Sequence, residues 1–179
     1  MQFAKDSFFL ALQQRLAGLN PARTVTLNGT TVPAIAVVEN LPPSSAEPQG
    51  NTFYIEWGEA AVERAHAGNA PLMSLNVLIT YYTLGSVQSM VDRGRILAEL
   101  DDELLGICQP PSTGKRDYTQ APSADLGTSV FWDQPLFADG DVAAMFSGSE
   151  SPKTENRRDA RVGRTARLTI YFFSEVAMS

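Results

Sequence analysis

At 179 residues, with 44% hydrophobic and 19% charged residues, the chain can bury one sizeable core but is short for two. A formal net charge of -6 argues against a nucleic-acid-binding domain, because neutralising phosphates needs a surplus of Lys and Arg. A single cysteine, Cys108, excludes an intrachain disulfide. No stretch approaches the ~18 apolar residues of a membrane span, so a soluble, unsecreted protein is expected.

In chain order, Phe8, Leu12, Leu16 and Leu19 recur at helical spacing, which predicts an amphipathic helix over Gln2–Leu19, stopped by Gly18 and Asn20-Pro21. Thr24–Leu27, Asn28-Gly29 and Thr30–Val38 read as a hairpin, since Asn-Gly accepts the positive φ angles of a tight turn. Pro33 marks an edge or a bulge. Glu39–Asn51 is a proline-rich loop, and Phe53, Ile55 and Trp57 alternate as a short strand. Ala60–Ala67 reads as a helical turn or two. Met73–Thr83 is a strand with Leu75, Val77, Ile79 and Tyr81 on one face.

Ser86 is the expected N-cap of a second helix reaching Cys108, with Val87, Val91, Leu97, Leu104 and Cys108 as its apolar stripe. Pro110-Pro111 ends it, a loop follows to about Gly127, and Thr128–Trp132 offers a short strand. Ala138–Gly163 is polar and has no core-forming pattern. The apolar strand Arg164–Val176 closes the chain and must pair upstream, beside Met73–Thr83. The order predicts one α+β domain, a mostly antiparallel sheet with two main helices on one face. Residues 138–163 form a long extended loop or arm suited to interaction.

Candidate chemistry is sparse. His66 is the only histidine and has no His or Cys neighbours at ligand spacing, so it reads as a surface residue. Cys108 reads as a small buried hydrophobe. Glu99, Asp101, Asp102 and Glu103 splay around a helix and do not converge on a metal or on a glycosidic bond. Asp139-Gly140-Asp141 lacks the closing Glu of a calcium loop. Gly114-Lys115 lacks the rest of a phosphate loop. No catalytic, cofactor-binding or metal residues are assigned, and no cofactor is expected.

One constellation departs from a plain surface: Arg157, Arg158, Arg161, Arg164 and Arg167. From Glu150 to Arg167 the chain carries +3, leaving -9 for the rest. As solvated charges these arginines mean little. As an interface they form an electrostatic key for an acidic partner, such as another copy of the same chain.

The first helix with Phe8-Phe9-Leu10, the strand Leu75–Thr83, Asp92-Arg93-Gly94-Arg95 and the closing Arg167-Leu-Thr-Ile-Tyr-Phe-Phe resemble the tail-terminator and tail-completion (neck) proteins of tailed bacteriophages. The resemblance is in the order of elements over most of the chain. No short diagnostic motif carries it, and the Leu41–Gly50 insert and the stretch before the last strand have no fixed counterpart.

That resemblance implies a structural virion protein rather than an enzyme. It implies a ring, six-fold in that group, which caps the tail tube and supports head-tail joining. The implied partners are its own copies, the tail tube and head-side connector proteins, with DNA passing through the lumen without specific binding. Its place is the virion neck, after assembly in the host bacterial cytoplasm, with no membrane contact. The alternatives are another neck or connector component, a small carboxylate-using hydrolase built on Asp133, Asp139 and Asp141, or a ligand-binding module lined by Trp57, Tyr81 and Trp132.

Overall fold

Helix α1 runs Gln2–Leu19 and buries Ala4, Ser7, Phe8, Leu12 and Leu16, a stripe at spacings of three and four. It stops where Asn20 leaves helical geometry while its N–H still donates to Leu16 O at 2.8 Å, one residue before Pro21. The structure, a computed structural model, describes residues 1–41, 49–64, 70–83, 90–140 and 162–175, with the side chains of the second helix from 94 onward.

Strands β1 (Thr24–Leu27) and β2 (Thr30–Pro33) form the expected hairpin, turned through Asn28 at φ 50° and Gly29 at φ 79°. The single strand expected to continue to Val38 is broken at Ala34. Pro33 has no N–H to donate, and the chain switches sheets there: Ala34 N–H donates to Arg23 O, and Ala34 O accepts from Phe53 N–H. β3 (Ile35–Val37) then pairs in parallel with the start of β4 (Phe53–Arg64).

The main sheet adds β5 (Leu72–Thr83), β6 (Ser112–Asp117), β7 (Ala124–Trp132), β8 (Leu136–Gly140) and β9 (Val162–Phe173). Its order is β3-β4-β5-β9-β7-β6, with β8 also paired to β9. All pairs except β3 with β4 are antiparallel, and β5 and β9 match over their full lengths, from Leu72↔Phe173 to Thr83↔Val162. The last strand is therefore central, with β5 on one side and β7 and β8 on the other. The expected pairing with Met73–Thr83 is the one observed.

Helix α2 spans Met90–Ile107 and buries Leu97, Leu100, Leu104 and Ile107, followed by Cys108. Ser86, its expected N-cap, lies outside the described residues, as do residues 65–69, which include His66. Both helices cover the face made by Ile55, Leu75, Val77, Ile79, Ala166, Leu168, Ile170, Phe172, Val130 and Trp132, all in one core cluster. Phe8 meets Trp57 and Trp132 edge-on, with ring centroids 6.2 and 5.1 Å apart, and Phe53 meets Tyr81 in the same way at 5.1 Å. The fold is α+β, with a mostly antiparallel, curled sheet and two helices on one face.

Three further sequence expectations change. Ala60–Arg64 is strand rather than helix, because β5 supplies ladder partners for Ala60, Ala61, Val62 and Arg64. The loop assigned to 110–127 contains β6 and the first half of β7, a hairpin whose polar strands the apolar pattern did not show. The patternless stretch beginning at Ala138 starts inside β8, where Ala138 and Asp139 pair with Thr165 and Arg164.

Candidate functional site

The two long edges of the sheet are treated differently. On the β6 side, α1 lies along the edge: Arg116 N–H donates to Ser7 Oγ at 2.9 Å, and Arg15 donates to the carbonyls of Ile107, Pro110 and Ser112 at 3.0, 2.8 and 2.8 Å. A helix side chain thus occupies backbone positions that an incoming strand would use. On the other side, β3 covers only Phe53–Ile55 of β4. Beyond the irregularity between Trp57 and Ala60, every residue from Gly58 to Arg64 is exposed, and among the described residues no strand pairs with them on the side away from β5.

The face of the sheet opposite the helices carries a row Glu56, Leu78, Arg167, Leu136 across β4, β5, β9 and β8. A second row runs Ala61, Ser74, Tyr171, Phe131. Leu136 is 74% exposed, Phe131 48% and Phe173 42%, far above what a solvated strand face needs. Its polar groups are linked: Ser74 Oγ donates to Glu63 Oε1 at 2.6 Å, and Tyr171 Oη donates to Asp133 Oδ2 at 3.1 Å. The bond to Asp133 raises the Tyr171 phenol above its ordinary value, and nearby Glu63 adds to that. With Glu56, Glu59, Glu63 and Asp133 set against Arg64 and Arg167, this edge and face are acidic.

The arginine series divides. Arg167 stands exposed on the open face. Arg164 lies on the helix-covered face, where Nη1 is 3.4 Å from Asp101 Oδ2, Tyr81 Oη donates to Asp101 Oδ1, and Arg164 Nε is buried without a hydrogen-bond partner. Burial first, and the Asp101 carboxylate second, push the Tyr81 phenol well above its usual range. Arg164 is thus committed within its own chain. Arg157, Arg158 and Arg161 lie outside the described residues.

The acidic run of α2 separates as helix geometry requires: Asp101 turns to the sheet, Glu103 holds Arg23 Nε at 3.0 Å and Asn20 Nδ2 at 2.6 Å, and Glu99 and Asp102 are exposed. Among the described residues no group of three or more His, Cys, Asp or Glu is placed to hold a metal ion. Tyr81 and Trp132 are buried and Trp57 packs against the same core, so these aromatics fill the helix–sheet seam. Asp133 is bonded by Tyr171, Asp139 sits on β8, and Asp141 lies outside the described residues. A polar cleft of about 340 Å³ opens between Asn20, Ala22, Arg23, Thr24, Gly50 and Asn51, with the Arg23 guanidinium already held by Glu103.

The sequence did not reveal the open edge. Ala60, Ala61, Glu63 and Arg64 are good helix formers, and only the strand pattern continuing from Phe53, Ile55 and Trp57 could have shown it. No known family model matches the chain, and no curated protein does. No helix among the described residues is long and apolar enough to cross a membrane.

Proposed function

We propose that the chain is a structural virion protein of a bacteriophage neck, a tail-terminator-like subunit that works by assembling with its own copies into a ring on the tail tube. The observation that carries this reading is the one-sided sheet. One edge and one face are covered by helices, while on the other edge Gly58–Arg64 have no strand partner away from β5 among the described residues, and the opposite face presents Phe131, Leu136 and Phe173 to solvent. Such a surface suits a macromolecular contact, since isolated soluble domains blunt long edges and keep large apolar side chains scattered.

Two different surfaces on one subunit favour a head-to-tail contact, which closes into a ring when the rotation fits. In this reading the acidic bulk of the subunit leaves DNA free to pass without adhering, because contacts to phosphate need cations. The terminator role, six-fold symmetry and joining to head-side connectors come from the resemblance in element order.

The test is the mass of the purified protein in solution together with electron micrographs, alone and with tail tubes. Closed rings, or rings seated on tube ends, are the expected result. A strict monomer at high concentration that leaves tube ends bare overturns the reading.

A further inference from the structure

The β4 edge at Gly58–Arg64, which has no strand partner away from β5 among the described residues, and the basic stretch before β9 are complementary in charge, yet within one chain the backbone of that stretch cannot pair with the edge. Glu59 lies on β4 between Trp57 and Ala60, level with Leu168–Ile170 on β9 through the β5 register. From Val162, that is about seven residues along the strand and two strand spacings across, or roughly 25 Å. Glu63 lies farther still. Arg157 precedes Val162 by five residues, a span of at most ~17 Å even fully extended, and Arg158 and Arg161 reach less. The backbone of this stretch therefore cannot lie along Gly58–Arg64 of its own subunit.

We propose that the open edge Gly58–Arg64 is the docking site for the basic stretch Arg157–Arg161 of a second copy. The proposal rests on the self-assembly reading above and names the contact that builds it. Along seven exposed residues the edge offers backbone groups that no strand among the described residues pairs, and an extended segment can satisfy them by strand addition. Glu59 and Glu63 then lie beside the arginines of the added segment. The alternative of two β4 edges pairing about a two-fold axis is disfavoured in its fullest overlap, centred on Ala61, because Glu59 falls opposite Glu63 of the other copy. The donor stretch leaves from the β8–β9 end, where Gly140 pairs with Gly163, while the acceptor lies on the opposite edge of the sheet. The contact is therefore head-to-tail.

The experiment uses the full chain in three forms: wild type, Glu59→Lys with Glu63→Lys, and Arg157→Glu with Arg158→Glu. Each variant alone should need at least roughly tenfold more protein to assemble, by mass in solution. A mixture of the two should assemble at near the wild-type concentration, because each supplies the charge the other lacks. Amides of 58–64 should be protected from hydrogen exchange in the assembly and exchange rapidly on dilution. Glu59→Lys alone, at an exposed position, serves if the double variant does not fold, and should weaken assembly in the same direction. If the wild type assembles but edge variants match it, or mixing restores nothing, or the 58–64 amides exchange equally fast in the assembly, the docking site is wrong and the ring reading stands. If the wild type never assembles, both fall.

Discussion

Arg15 on α1 donates from Nη1 to the carbonyl oxygen of Ile107 at 3.0 Å, so the first helix caps the end of the second. The same guanidinium bonds Pro110 O and Ser112 O and lies over the Trp132 ring, 5.2 Å from its centroid. One side chain thereby satisfies a terminal carbonyl of α2, the exit turn and the start of β6.

Replacing Arg15 with Met keeps the stem and removes the donors. The expected loss is roughly 2–4 kcal/mol, because charged hydrogen bonds disappear and their part-buried acceptors are left bare. Urea unfolding followed by tryptophan fluorescence measures it. A loss below about 0.5 kcal/mol would show that water replaces Arg15 at little cost.

At the seam between β5 and α2, Asp101 accepts from Tyr81 and pairs with Arg164. Tyr81→Phe should cost about 1–2 kcal/mol, and Arg164→Met somewhat more, since it leaves the carboxylate without its cation. Adding Asp101→Asn to Arg164→Met should recover part of that loss. Strictly additive costs in a double-mutant cycle would mean that the three groups do not act together.

Arg164 and Arg167 stand three residues apart on β9 and face opposite ways, so their substitutions should separate stability from assembly. Arg167→Glu should leave the unfolding midpoint within about 0.5 kcal/mol of wild type while weakening self-association. A stability loss as large as that of Arg164→Met would place Arg167 in the fold rather than on the contact surface.

Burial pushes the Cys108 thiol up to about 12, with nearby Arg15 opposing the shift. A thiol raised in the folded state stabilises fully below its unfolded value near 8.5, and that contribution fades as the pH climbs toward 12. Folded protein at pH 8 should therefore resist thiol reagents until denaturant is added. Rapid labelling of the native protein would contradict the buried placement.

The sequence showed the fold where one residue type dominates one face. Phe8, Leu12 and Leu16 announce α1, and Leu75, Val77, Ile79 and Tyr81 announce β5. Asn28-Gly29 announces the first turn. It was silent where partners, rather than residue preferences, decide. Ala60–Arg64 is strand because β5 runs beside it. Ser112–Asp117 is strand because Ser7 and Arg15 hold its edge and β7 its other side. The surface proposed for assembly was half legible: the basic stretch stands out in composition, whereas its acidic counterpart is spread over β4 and the opposite sheet face and converges only through register.

The register of β9 also bears on how the chain comes to be folded. β5 has its β4 neighbour early, but its other side waits for a strand translated roughly eighty residues later, which at 5–20 residues per second is several seconds of synthesis. During that interval Leu-Asn-Val-Leu-Ile-Thr-Tyr-Tyr is a bare ladder able to pair with any extended chain. Nascent chains halted before Val162 should therefore depend on chaperones and precipitate when released without them, and the proposed assembly would have to wait until the centre of the sheet has been filled.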